Sequence, residues 1–142
     1  MNKVMVATIT REDNVKLKEW LACFDQLQWM PRMLENYIAS PNNEEPLTND
    51  EIKISGLDNI FTTAIKNGID WVLFVDVNLK YDIDILNKFM EYKSSVVVDP
   101  NYSYNLFLVH REVFSRNLKF NEYKRGTDLN AFLTERLFEK FS

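Results

Sequence analysis

The stretch Asp70-Trp71-Val72-Leu73-Phe74-Val75-Asp76-Val77-Asn78 decides how the rest of the chain is read. Residues 71–75 are apolar without alternation, so a strand formed here has both faces covered, as in the centre of an α/β sheet. An acidic residue ends the run, and a carboxamide follows two positions later. Side chains at i and i+2 of a strand point the same way. Asp76 and Asn78 are therefore placed to hold one hard cation, Mg²⁺ or Mn²⁺, beside a diphosphate. The plain alternative is a carboxylate that ends the strand and caps the following turn.

Outward from this strand, residues 55–68 read as a helix. Ser55 is the candidate N-cap, with Asp58 in a capping-box-like position. Leu57, Ile60, Phe61, Ala64 and Ile65 line one face, and Gly68 is placed to end it. Downstream, residues 82–92 read as a helix with Ile83, Leu86, Phe89 and Met90 inward. Strands are expected at 95–98 and 104–109. A closing helix is expected at 127–141, with Leu129, Phe132, Leu133, Leu137 and Phe141 inward. Upstream, 3–9 reads as a buried strand, and Leu17, Trp20, Leu21 and Phe24 mark a helix ending near Leu27. Pro31 breaks that pattern, and 33–39 is a second, weaker strand. Residues 40–50, with two prolines and little apolar content, read as a loop. The alternation predicts a single α/β domain with a mostly parallel central sheet flanked by helices. Ligands of such sheets bind beyond the carboxyl ends of the strands, here near Thr10, Ala39 and Asp76.

Composition narrows the function. The 142 residues are 46% hydrophobic and 27% charged, which excludes a disordered chain. Lys and Arg total 17 against 21 Asp and Glu, so a broad basic surface for nucleic acid is not expected. Three glycines leave no Gly-rich phosphate loop. Cys23 is alone and cannot form an internal disulfide, which suits a reducing compartment. The longest apolar run, 71–75, is far short of the roughly 20 residues of a bilayer span. The opening residues turn polar too early for a signal peptide. The expectation is a soluble, cytoplasmic chain with no transmembrane segment.

Residues 71–86, WVLFVDVNLKYDIDIL, resemble the central segment of glycosyltransferases with the GT-A fold, especially family 2, where an apolar strand runs into an Asp-x-Asp motif. The 56–68 segment is similar to the family's preceding helix. Leu108-Val109-His110-Arg111-Glu112-Val113-Phe114 is similar to its strand followed by Arg-Glu-x-Phe. Gly126-Thr127-Asp128-Leu129 falls where the family carries a Glu-Asp pair opening a helix. The resemblance covers most of the chain in order. It implies a GT-A-like, Rossmann-like sandwich that transfers a sugar from a nucleoside-diphosphate donor to an acceptor hydroxyl. It implies that Asp76 and Asn78, as first and last positions of Asp-x-Asp, hold the donor ribose and a divalent metal. Asp128 is then the general base of an inverting reaction, and Thr8, Thr10 and Arg11 line the nucleotide pocket.

Three departures from the family pattern stand out. Asn78 replaces an acid, and a neutral amide is a poorer ligand for a hard dication. Tyr37-Ile38-Ala39-Ser40 stands where Asp-Asn-x-Ser is common, and Thr127 replaces the acidic partner of Asp128. The chain is also shorter than usual for the family. A rival reading is therefore a module that keeps the fold without catalysis and binds a nucleotide sugar or a protein. A third is an unrelated nucleotide-binding domain with phosphate at a helix N-terminus near Arg11-Glu12-Asp13, which that acidic pair disfavours.

Other residues have two readings each. Asp128 also suits the first turn of a helix capped by Thr127. His110 either completes a metal site, as a late histidine does in some related glycosyltransferases, or is a packed or surface histidine; Cys23 reads as a buried, inert thiol. Trp20, Trp29 and Tyr37 either pack or stack on a ligand. Lys119, Lys124 and Arg125 either meet a diphosphate or form a solvated face. Tyr102, Tyr104 and Tyr123 are candidates for an acceptor rim.

Overall fold

A computed structural model describes residues 3–10, 15–29, 33–40 and 47–138. Strands β1 (Val4–Ile9), β2 (Leu34–Ala39) and β3 (Trp71–Val75) form its parallel half, with β1 paired to both neighbours. Strands β4 (Val96–Asp99) and β5 (Ser103–His110) complete a five-stranded sheet of order β2-β1-β3-β5-β4. β5 runs antiparallel to both β3 and β4. The sheet is thus mixed, which corrects the expectation of a mostly parallel one. The reason is local. Only residues 100–102 separate β4 from β5, too few for the crossover that a parallel pair requires. Asp99 Oδ1 accepts the backbone N–H groups of Asn101 (2.7 Å) and Tyr102 (3.2 Å) and folds the connection into a turn.

Helices cover both faces. α1 (Val15–Gln26) and α3 (Ile85–Met90) bury Trp20, Phe24, Leu86 and Phe89 against Val4, Val6, Leu73 and Val75. On the other face, α2 (Asn49–Lys66) and α5 (Leu129–Phe138) bury Leu57, Ile60, Phe61, Phe132 and Leu133 against Met5, Ala7, Val72 and Phe74. A short helix, α4 (Arg111–Phe114), follows β5 directly. Strand alternation assigns the two faces.

α2 begins six residues before the expected start. Thr48 is its N-cap, accepting from Glu51 N–H (3.2 Å), while the Glu51 carboxylate accepts from Thr48 N–H (2.9 Å). This capping box satisfies two otherwise orphaned donors. Ser55 is an exposed residue within the helix, not its cap. The other end is as expected: Gly68, at φ +69°, follows Asn67, and Ile69 N–H reaches Ala64 O in a Schellman motif. Ile65 is exposed, so the apolar face of α2 is narrower than its sequence periodicity implied, and Ile83 is exposed because it precedes α3, which is shorter than expected. Phe141 lies outside the described residues. Among the described residues, no helix is long and apolar enough to cross a membrane.

Candidate functional site

β1 passes to β2 through α1 on one face and β2 to β3 through α2 on the other, so β1 and β3 diverge at a topological switch point. A cleft of about 560 Å³ opens there, at their carboxyl ends. Thr10 and Asp76 are its strand-end residues, and Asn78 stands beyond. The first turns of α2 supply Asn49, Asp50 and Lys53. The start of β5 supplies Ser103, Tyr104 and Asn105, and α5 supplies Leu129 and Asn130.

Asp76 is half-buried. Its Oδ1 accepts both the backbone N–H (2.9 Å) and the side-chain N–H (3.1 Å) of Asn78. Its own N–H donates to Asn105 O (2.8 Å), extending the β3–β5 ladder into the cleft. Behind it, the buried Trp20 indole donates to Val75 O (3.0 Å), and Tyr81 OH donates to Trp20 O (3.1 Å). This chain of contacts fixes the strand end from the α1 side.

Lys53 is the cation among the described residues of the cleft. Its ammonium donates to Tyr104 O (2.6 Å) and Asn105 Oδ1 (2.7 Å) and lies 5.1 Å from the Phe74 ring centroid. Burial pushes the ammonium down to about 8, while Asp76 and Asp50 pull the other way. Asp50 adds a carboxylate to the cleft wall. Tyr123 OH donates to Thr127 O (2.9 Å) and to Asp50 Oδ2 (3.4 Å). Desolvation first, then Asp50, Glu51 and Asp128, hold that phenol above its usual range. Hydrogen bonds from the Thr48 backbone and then Arg125 hold Glu51 below its usual range.

The structure gathers Thr10, Asp76 and Asn78 in one place. Asp128 stands at the rim, exposed, as the N-cap of α5, its Oδ1 accepting Ala131 N–H (3.2 Å). Its neighbours Leu129 and Asn130, rather than Asp128, line the cleft. Thr8 is not among the residues that line the cleft. Strand parity puts it on the face of Val4 and Val6, fully buried, away from the cleft, with no hydrogen-bond partner for its hydroxyl among the described residues. Arg11 lies outside the described residues.

The remaining candidates sit elsewhere. His110, at the far end of β5, packs edge-on to Trp71 at 4.5 Å, and its Nδ1 accepts Glu112 N–H. Trp20 is core, and Tyr37 hydrogen-bonds Asn59. Arg125 pairs with Glu51 (2.8 Å) rather than facing the cleft. Cys23 is only half-buried, packed on the edge of the α1-side core. Tyr104 is buried on the cleft wall, whereas Tyr102 is exposed. Asp50 escaped the sequence reading because residues 40–50 read as loop, and Lys53 because the helix was expected to start only at Ser55. The signal was present in Thr48-Asn49-Asp50-Glu51, an N-terminal capping box.

The donor set does not suit a hard dication. Asn78 turns N–H groups towards Asp76, and an ammonium shares the cleft. Among the described residues, no three His, Cys, Asp or Glu side chains gather where they would share a metal ion.

No protein-family model and no curated protein sequence matches the chain. Among solved structures it is similar to the crystal structure of a glycosyltransferase involved in the glycosylation of the major capsid of PBCV-1. The two superpose with a TM-score of 0.53 at 12% sequence identity, over 80% of this chain and 62% of that one. The likeness is one of fold. It places the five-stranded mixed sheet and its helices in a glycosyltransferase-like architecture.

Proposed function

We propose that this chain is a small GT-A-like transferase that moves a sugar from a nucleoside-diphosphate donor to an acceptor hydroxyl, with inversion. The observation that carries this reading is the carboxylate of Asp76 at the switch-point cleft of a glycosyltransferase-like fold. Asp76 accepts hydrogen bonds from the donor ribose, Asn78 holds Asp76 in orientation, and Thr10 closes the adjoining wall. Asp128 takes the proton of the acceptor hydroxyl as its oxygen attacks the anomeric carbon. The bond to the diphosphate breaks, and the nucleoside diphosphate leaves with the electron pair. Asp50 is the rival base, because it lines the cleft itself.

The test is a panel of nucleoside-diphosphate sugars, read by calorimetry and by release of nucleoside diphosphate. One donor binds saturably, and Asp76→Ala abolishes that binding. Asp128→Asn leaves donor affinity intact and lowers turnover about 100-fold or more. If Asp50→Asn does this instead, Asp50 is the base. A folded protein that binds no donor at millimolar concentration ends the reading. One observation favours a binding module without catalysis: an oxygen of Asp128 is already engaged as a helix cap. Donor binding without turnover across a broad acceptor panel would establish that module.

A further inference from the structure

Resting on the transferase reading, we propose that Lys53, rather than a divalent cation, meets the phosphate groups of the ligand in the cleft. Lys53 is the cation among the cleft's described lining residues. It is held in place rather than free to swing: Tyr104 O and Asn105 Oδ1 take two of its three N–H donors, and its ammonium lies over the Phe74 ring. The third N–H remains for a ligand, and an ammonium–phosphate contact is a charge-assisted bond.

One of the oxygens that a dication would use is already committed. Asp76 Oδ1 accepts two N–H groups from Asn78, so the Asp-x-Asn turn closes on itself. A hard cation takes six or more oxygens and is repelled by a fixed ammonium in the same cleft, whereas a diphosphate is attracted. The charged groups facing Lys53 are Asp50 from its own helix and Asp76 from the end of β3. Both favour its charged form. Both also repel a bare anion, which gives the experiment a sign.

The experiment is calorimetric titration of the full chain with inorganic pyrophosphate and with UDP, GDP, CDP and ADP, in EDTA and again in Mn²⁺. The expected result is binding that persists in EDTA. Lys53→Met should weaken it by about tenfold to a hundredfold, and Lys53→Arg should keep most of it. Asp76→Asn should bind pyrophosphate about threefold more tightly, because a repulsive charge is gone. A metal site predicts the opposite sign for that variant. Asp76→Asn preserves shape, so it decides the matter even if a Lys53 variant fails to fold. Binding that requires Mn²⁺, is lost in Asp76→Asn and is unchanged in Lys53→Arg and Lys53→Met would overturn the inference and leave the transferase reading standing. Pyrophosphate binding through Lys53 with no affinity for any nucleoside diphosphate would uphold the inference and sink the transferase reading. No binding of any probe would overturn both.

Discussion

Lys53 shows how one side chain carries opposing demands. Burial pushes its ammonium down to about 8 from an ordinary 10.5. Between those values the unfolded chain holds a proton that the folded chain has released. The unfolded state then binds more protons, so folding stability rises with pH through this window. The urea midpoint should climb between pH 8 and 10 in the parent, and the climb should be absent in Lys53→Met. Above pH 10 the tyrosines reverse the trend. Burial raises Tyr81 and Tyr104, so their folded forms keep protons that the unfolded chain loses. Asp76 was legible from sequence because an unbroken apolar run stops at it. Lys53 was not, because a lysine inside a polar stretch looks like any solvated residue until the helix beneath it is placed.

At the scale of elements, the start of α2 decides what the cleft contains. Thr48→Ala removes an N-cap hydrogen bond and should lower stability by about 1 kcal/mol in a urea titration. Gly56 is the tighter constraint. A Cβ there would sit 2.4 Å from Ile9 Cδ1 and 2.5 Å from Cγ1, where α2 crosses β1. Gly56→Ala gains about 1 kcal/mol of helix propensity but overpacks at about 1–3 kcal/mol, so a net loss is expected. Because Ile9 also lines the cleft, nucleotide affinity should fall with it. The strands and most helices were legible from apolar period and length. The start of α2 and the β4–β5 hairpin were missed for a shared reason. Both depend on side-chain-to-backbone bonds, of Thr48 and of Asp99, that hydrophobic period does not register.

Across the whole molecule, the two cores are coupled through the end of β3. Trp20 belongs to the α1-side core, yet its indole holds the carbonyl next to Asp76. Trp20→Phe leaves Val75 O buried without that donor and should lower stability by about 1–3 kcal/mol. It should also weaken donor binding although Trp20 touches no ligand. A variant that melts earlier but keeps its donor affinity would show that the strand end does not depend on this anchor. The α/β class was readable from alternation, and the strand ends pointed to where the cleft opens. The strand order was not readable, because the insertion of β5 between β3 and β4 depends on long-range pairing.

The cleft draws its walls from segments far apart in the chain: Thr10, Lys53, Asp76, Asn105 and Asn130. By contrast, β4 and β5 meet across a few residues. Hairpins of that kind close in about 1–10 μs, whereas pairing β1 with β3 must first close a long loop. The cleft needs all of these pairings at once, so it is expected to be complete only on the native side of the folding barrier. A nucleotide that fits it should slow unfolding in stopped-flow experiments while leaving the refolding rate unchanged. Ligand bound to a surface already present at the barrier would speed refolding instead.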